Sequence, residues 1–126
     1  DDYLVFLRML LNGGTHSGVR ILKTETLALM TRNHLSGDME ELGATNFNGL
    51  SWKGIGFGLG FNVVLDHAKA EIPGPDGEYG WTGAAGTMFF VNPKLKIAGL
   101  LLTQYMPSQS YPLRQQFRNA VYDGLR

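Results

Sequence analysis

The sequence has no cysteine, no net charge and no long apolar run, and each absence excludes a class of protein. Without cysteine, the 126 residues form neither a disulfide nor a thiolate metal site, although many secreted proteins also lack cysteine and the cell compartment stays open. Eleven basic residues balance eleven acidic ones, which argues against a surface for nucleic acid or anionic lipid. The apolar runs are far shorter than a membrane span. We therefore expect no nucleic-acid partner and no membrane span.

Metal-binding patterns are also missing. The three histidines, His16, His34 and His67, have neither a second histidine nor a carboxylate at metal-ligand spacing in a helix. Asp66 precedes His67, but adjacent residues on a strand point to opposite faces. The Gly-x-Ser-x-Gly nucleophile motif is absent as well. We expect surface histidines, no metal and no cofactor.

The first third of the chain predicts helices. Residues 1–14, DDYLVFLRMLLNGG, place aspartate at a helix N-terminus and glycine at its end. Arg8 is the only charged residue between them, so the helix is apolar on all sides, and we expect it to pack against something outside the chain. Thr24 is the expected N-cap of a second helix. Residues 1–35 are thus predicted to be a portion of a helical lobe, in a chain that is a single C-terminal fragment of a larger domain.

Residues 36–56 show no hydrophobic period and predict a long loop. Trp52 within it is either a lid residue or the anchor of a small core, and an anchor is the commoner role for such a residue.

Residues 57–126 predict an antiparallel sheet of about four strands with a C-terminal helix across it, which is an α+β arrangement. Residues 57–65, FGLGFNVVL, alternate in hydrophobicity and predict a single strand. Residues 97–104, IAGLLLTQ, form a continuous apolar run typical of a central strand covered on both faces. Ser110 is the expected N-cap of the final helix.

The segment 77–87, GEYGWTGAAGT, contains four glycines beside a tryptophan. One interpretation is a sharply bent strand with a bulge around Gly83–Gly86. The other is a strand edge whose free N–H groups face a substrate carbonyl, because a backbone donor needs only a backbone that can come close. Glycine is common in bent strands, so the residues alone favour the first interpretation.

The ordered set of segments resembles a known superfamily. DDYLVFLRMLLNGG, GVRILKTETLALMTRNHL, GFGLGFNVV, GEYGWTGAAGT, FFVNPKLKIAGLLLTQ and a terminal helix follow one another as in the C-terminal portion of the serine β-lactamases and penicillin-binding proteins. The similarity is greatest to the class C β-lactamase-like branch, which includes the family VIII carboxylesterases. It covers essentially the whole chain, and it implies a partial β-lactamase/transpeptidase-like fold whose first helices come from the α lobe.

The resemblance also implies a site. The superfamily carries Lys-Thr-Gly or a variant of it on one strand, and the matching triplet here is Trp81, Thr82 and Gly83. The backbone N–H of Ala84 would then form half of the oxyanion hole, Thr82 would line the pocket, and Gly83 and Gly86 would keep the backbone accessible to substrate. An indole at position 81 replaces the cation that holds the β-lactam carboxylate, which points toward neutral acyl substrates.

Two family motifs are absent from this sequence. No serine is followed by lysine three residues later, and no tyrosine by asparagine two residues later. A serine needs an adjacent base to become a nucleophile, so we expect the chain to be inactive by itself.

The resemblance therefore implies the C-terminal part of a serine hydrolase that acts through an acyl-enzyme, of carboxylesterase type, with no cofactor. The alternatives are a fragment of a β-lactamase or D,D-peptidase, and a non-catalytic β-lactamase-like binding protein. The expected partners are a small acyl, ester or β-lactam-like molecule, the missing N-terminal half of the same protein, and a second copy that packs on the apolar helix 3–11.

Overall fold

The computed structural model describes residues 2–44 and 51–126. The first elements are two helices separated by a small hairpin. Five consecutive strands of one sheet follow, and a final helix comes last. Within the described ranges the elements follow in this order: α1 (Asp2–Leu11), β1 (Thr15–His16), β2 (Val19–Arg20), α2 (Thr24–Met30), β3 (Ile55–Phe57), β4 (Asn62–Val64), β5 (Tyr79–Thr82), β6 (Met88–Asn92), β7 (Ile97–Leu101) and α3 (Leu113–Asp123).

The main sheet is an antiparallel meander, because each of its five strands pairs with the next strand in sequence, in the order β3-β4-β5-β6-β7. Strands β1 and β2 form a separate small hairpin. Strand β6 is buried along its whole length. Its side chains alternate, so that Phe89 and Val91 join the core with α1, while Met88 and Phe90 join the core with α3. The sheet is therefore covered by α1, with part of α2, on one face and by α3 on the other, and the α+β prediction with a C-terminal helix across the sheet is confirmed.

Helix α1 packs on the sheet through part of its surface. Leu7, Met9 and Leu10 are buried in the core that includes Phe89, and the helix ends at Asn12-Gly13-Gly14 as the sequence predicts. Its N-terminal turns are less covered. Tyr3, Leu4 and Val5 are 45%, 42% and 41% exposed. The expectation of a partner outside the chain and the division into a helical lobe, a loop and a sheet domain remain predictions.

The predicted single strand over 57–65 is wrong, because this segment is a hairpin. Strand β3 ends at Phe57, β4 begins at Asn62, and the Gly58 N–H donates to the Phe61 carbonyl across the turn at 2.8 Å. Gly60 has φ of 89°, which interrupts extended backbone, and a Cβ on Gly58 would lie 2.1 Å from the Met30 carbonyl oxygen. The hairpin gives the sheet five strands instead of about four, and it leaves Leu59 at 48% exposure.

The prediction that residues 97–104 form a central strand is also wrong. Strand β7 lies at the edge of the sheet, where it pairs with β6 alone among the described strands. Helices α1 and α3 both contact it, one from each face. Its continuous apolar pattern therefore reflects two covered faces, which a strand can have at an edge as well as at the centre.

The helix starts differ by one or two residues from those expected. The N-cap of α2 is Lys23 instead of Thr24, and the N-cap of α3 is Pro112 instead of Ser110; neither makes a side-chain capping hydrogen bond.

The predicted loop 36–56 ends sooner than expected, because β3 begins at Ile55, and residues 45–50 of that loop lie outside the described residues. The part before the gap is tied to the sheet, since an Asp38 carboxylate oxygen accepts from the Gly54 N–H at 2.9 Å.

Candidate functional site

The glycine-rich segment forms the β5–β6 hairpin. Thr82 pairs with Met88, and the Gly83 N–H donates to the Thr87 carbonyl at 2.9 Å. Inside this pair the Gly86 N–H donates to the Gly83 carbonyl at 3.2 Å, and Gly86 has φ of 83°. A left-handed residue at the third loop position is typical of three-residue hairpin loops that contain a bulge. The chain reverses here, so the segment is a hairpin loop between two strands and not one sharply bent strand, although the predicted irregularity does fall at Gly83–Gly86.

The carbonyl groups of this loop are bonded to segments outside the hairpin. The Ala85 carbonyl accepts from the Thr103 hydroxyl at 3.0 Å and from the Tyr105 N–H at 2.9 Å. The Gly83 carbonyl accepts from the Arg114 guanidinium on α3. The tip is thus fixed by the chain that follows β7 and by the C-terminal helix.

The backbone N–H of Ala84 has no such bond. Ala84 is exposed at the tip, and within residues 2–44 and 51–126 no carbonyl accepts from its N–H. An exposed N–H on an anchored loop is available to donate to an oxygen atom of a bound molecule.

The turn requires glycine at positions 83 and 86 for different reasons. A Cβ on Gly83 would lie 2.3 Å from the Thr87 hydroxyl oxygen, so a side chain there would collide with the other arm of the hairpin. Gly86 is buried, its φ is positive, and a Cβ there would lie 2.6 Å from the Thr103 hydroxyl oxygen. The structure gives both glycines a role in the turn, and it places Gly86 beneath the tip, away from the exposed Ala84.

Trp81 stands on the strand that leads to this loop. Its ring stacks on Trp52 at 6.0 Å between centroids and meets Phe57 edge-on at 5.2 Å. Trp52 is 3% exposed, so the interpretation of Trp52 as a core anchor is confirmed. The two contacts fix the Trp81 ring while it stays only partly buried.

An apolar cavity of about 220 Å³ opens beside the hairpin. Trp81, Thr82 and Gly83, three of the predicted site residues, line it, whereas Ala84 and Gly86 do not. Tyr3 of α1 closes one side, and no charged side chain of the described residues takes part in the lining. A second cavity of about 250 Å³ lies toward α3, with Thr82 and Arg114 in its wall. The structure thus brings the predicted triplet to one apolar cavity and sets the Ala84 N–H next to it in the chain.

Arg114 was not predicted from the sequence as a site residue. It is 7% exposed, and burial lowers the pKa of its guanidinium. Its position three residues before Phe117 and seven before Val121 puts it on the apolar face of α3. A charged residue on an apolar helix face is the signal that could have identified it.

A buried polar network lies behind β5 on the α3 side. Glu78 is 2% exposed, accepts from the Tyr122 hydroxyl and pairs with Arg118 at 2.9 Å. Tyr122 also accepts from the Asn92 amide at 2.8 Å. Burial raises the pKa of Glu78 above its ordinary range, while Arg118 and Tyr122 act in the opposite direction. This network joins α3 to strands β5 and β6 and therefore holds the helix that carries Arg114.

The histidines lie away from the hairpin. His67 pairs with Asp76 at 2.8 Å on the surface, and His34 is exposed. Among the residues that the structure describes, no group of three or more His, Cys, Asp or Glu side chains could hold a metal ion. Over the same residues, no helix combines the length and the hydropathy of a membrane span.

Known proteins resemble both this sequence and this fold. The sequence model of the family described as Beta-lactamase matches residues 1–122. Protein Rv1367c of Mycobacterium tuberculosis (strain ATCC 25618 / H37Rv) is 40% identical over 116 residues, which cover 87% of this chain and 28% of that protein.

Two solved structures have the same fold over nearly the whole chain. EstCE1, described as a hydrolase with promiscuous acyltransferase activity, has a TM-score of 0.74 and 29% identity, over 96% of this chain and 29% of its own. Simvastatin synthase (LovD) from Aspergillus terreus has a TM-score of 0.74 and 22% identity, over 97% of this chain and 33% of its own.

The chain spans about 28 to 33% of the length of these proteins. Their shared fold is the partial β-lactamase-like arrangement that the resemblance implies, with an antiparallel sheet between helices. Because the family match extends over almost all of the residues, the chain belongs to the Beta-lactamase family.

Proposed function

We propose that the protein containing this chain is a serine hydrolase that forms an acyl-enzyme from ester substrates. This chain supplies one wall of the acyl pocket and, through the Ala84 N–H, one of the two oxyanion donors. The observation that carries the proposal is the exposed Ala84 N–H on an anchored loop, with no acceptor among the described residues. In enzymes of this kind, loss of one oxyanion donor lowers kcat by roughly 10² to 10³.

The nucleophile lies outside this chain, because the sequence has no Ser-x-x-Lys. In the proposed reaction a serine hydroxyl attacks the ester carbonyl carbon and gives its proton to a base. The tetrahedral oxyanion receives a hydrogen bond from Ala84, and the leaving alkoxide takes up a proton and departs as an alcohol. Water then attacks the acyl-enzyme, which releases the acid and restores the serine.

The substrate class follows from the cavity beside the hairpin. Its lining is apolar, and Trp81 stands where the β-lactamases place a lysine. An indole provides a large apolar face and one N–H donor, whereas a lysine would hold a carboxylate through its charge. These properties support a neutral acyl group and argue against a penicillin-like substrate.

Acyl transfer to an alcohol is a second candidate. The observation that favours it is the likeness to EstCE1, whose description includes promiscuous acyltransferase activity. The two reactions share the acyl-enzyme and differ only in whether water or an alcohol attacks it.

The test uses the full-length protein. We expect a fluorophosphonate to label one serine covalently, short-chain p-nitrophenyl esters to be hydrolysed, and nitrocefin to be a poor substrate. Substitution of the labelled serine by alanine should abolish both labelling and hydrolysis. Addition of a primary alcohol during turnover separates the two candidates, because an acyltransferase forms a new ester.

Several results would count against the proposal. Absence of fluorophosphonate labelling, or a degraded Ser-x-x-Lys in the rest of the protein, would support the non-catalytic binding protein instead. Rapid nitrocefin hydrolysis would support a β-lactamase, and release of D-alanine from a peptide would support a D,D-peptidase.

A further inference from the structure

The Gly83–Ala84 peptide carries both the proposed donor and the anchored carbonyl. In a trans peptide the C=O and the following N–H point in opposite directions within one plane. The Gly83 carbonyl is held by the Arg114 guanidinium from α3. The orientation of this carbonyl therefore sets the orientation of the Ala84 N–H.

The peptide needs such an anchor because of the residues around it. Gly83 has no side chain to restrict its ψ angle, so rotation of the 83–84 peptide plane is easier than after another residue. The other bond to this carbonyl, from the Gly86 N–H, is 3.2 Å long and comes from within the same loop. It cannot fix the loop relative to the rest of the molecule, whereas a donor on α3 can.

A contribution to the free energy of unfolding does not explain why an arginine is buried at position 114. Its side chain is almost fully buried, its Nε has no hydrogen-bond partner among the described residues, and no carboxylate of those residues lies within ion-pair distance. A buried charge without a matching partner is commonly neutral or destabilising compared with an apolar side chain of the same size. Within the described part of the chain, the hydrogen bond that the guanidinium makes is the one to the Gly83 carbonyl of the hairpin.

We infer that Arg114 is a positioning residue for the reaction: it holds the Gly83 carbonyl so that the Ala84 N–H points at the oxyanion. This inference rests on the proposed function, and it adds a residue on the C-terminal helix to the site. Arg114 does not touch the substrate carbonyl in this role, since it acts through the peptide plane.

The experiment compares Arg114→Met with wild type in the full-length protein. Methionine keeps an apolar side chain of similar length and removes both charge and donor. The number of active sites is titrated with a fluorophosphonate, and kcat and KM for a p-nitrophenyl ester are then expressed per titrated site. We expect kcat to fall roughly tenfold to a hundredfold and KM to change less than about twofold, because a displaced oxyanion donor affects the transition state more than the bound ester.

Three further measurements separate positioning from a general effect on folding. An arylboronic acid, whose bound form carries an oxyanion-like oxygen, should lose affinity in parallel with kcat. Arg114→Lys should recover part of the loss, since it returns a buried donor. Gly60→Ala strains the left-handed backbone of the β3–β4 turn and touches neither α3 nor the β5–β6 hairpin, so it should lower stability without changing kcat per titrated site.

The outcomes distinguish this inference from the proposed function. If wild type is labelled and active but Arg114→Met has wild-type kcat and boronate affinity, the inference is wrong and the serine hydrolase stands. If Arg114→Met does not fold, kcat per titrated site and boronate affinity are measured for Arg114→Gln instead. The same result is expected, because the shorter glutamine side chain does not reach the Gly83 carbonyl. If wild type is not labelled at all, both are wrong.

Discussion

At the scale of single residues, Trp81 both lines the cavity proposed to hold the acyl group and packs against other aromatic rings. The ring lines the apolar cavity and is held by Trp52 and Phe57. Its effect on turnover can be separated from its effect on folding, because the two are measured independently and the two aromatic contacts give the smallest stability loss to expect. Each aromatic pair contributes about 0.5–1.5 kcal/mol beyond the area it buries.

For Trp81→Lys in the full-length protein, we expect ester turnover per titrated site to fall about tenfold or more, because a cation enters the apolar cavity and desolvating it is costly. The free energy of unfolding should fall by about 1–3 kcal/mol through loss of the two ring contacts. Ester kinetics and denaturant unfolding measure the two effects. Trp81→Phe, which keeps an apolar ring, should remain close to wild type in turnover, and unchanged ester kinetics in Trp81→Lys would show that residue 81 does not line the site.

Glu78 gives the protein a pH dependence of stability. Burial raises its pKa above the ordinary value of 4.5, so the native state holds this proton at pH values where the unfolded state has lost it. The corresponding stability is fully present below pH 4.5 and decreases as pH rises toward the higher native pKa. A residue that cannot ionise lacks this dependence.

We therefore expect Glu78→Gln to gain stability relative to wild type as pH rises from about 4.5 to neutrality, whatever the absolute cost of losing the Arg118 ion pair. Urea unfolding of both proteins at a series of pH values measures the difference. Parallel pH profiles for the two proteins would be incompatible with a raised pKa at Glu78.

At the scale of elements, the loop of the β5–β6 hairpin requires glycine at position 86 for two separate reasons. Gly86 combines a φ of 83° with a Thr103 hydroxyl 2.6 Å from where a Cβ would lie, and that hydroxyl bonds the Ala85 carbonyl. Gly60 has a similar φ of 89°, but no heavy atom of residues 2–44 and 51–126 lies within 4 Å of such a Cβ. Alanine substitutions at Gly60 and Gly86 therefore distinguish the cost of a left-handed backbone from the added cost of a steric clash.

Gly60→Ala should cost about 1 kcal/mol in the free energy of unfolding, from the left-handed backbone alone. Gly86→Ala should cost about 2–3 kcal/mol, because the added methyl group also displaces Thr103 and breaks its hydrogen bond. Denaturant unfolding of both variants is the measurement. Equal losses at the two positions would mean that the loop adapts around the added carbon.

The sequence predicts those elements whose signals are local. The glycine end of α1 and the final helix each depend on residues within a few positions of one another, and the structure contains both. The reversal at Gly58–Phe61 was not predictable from alternation, because a hairpin with glycines at its turn keeps the same period as a straight strand. The role of Arg114 was not predictable either, since its partner is a backbone carbonyl 31 residues away and a carbonyl has no sequence signature.

At the scale of the whole molecule, the start of α1 exposes several apolar side chains. Tyr3, Leu4 and Val5 are adjacent, and each exposes more than two-fifths of its surface. Contiguous apolar patches of this kind favour association. The 126-residue chain by itself is therefore expected to self-associate through this patch.

Sedimentation velocity of the 126-residue chain tests this expectation. Leu4→Glu should shift the population toward monomer, because burying an unpaired carboxylate in the contact is costly. Val19→Glu is the matched control, since Val19 is 61% exposed but lies on β2, outside the patch, and it should leave association unchanged. A monomeric wild-type chain would contradict the prediction.

The hairpin tip has a further consequence for how its motion is measured. Its carbonyl groups are anchored to α3 and to the segment after β7, while the Ala84 N–H is left without an acceptor among the described residues. Amide hydrogen exchange reports only the N–H side of a peptide. Ala84 will therefore exchange rapidly with solvent deuterium even while its backbone is held still, and fast exchange at this position is a sign of an unoccupied donor, not of a flexible loop.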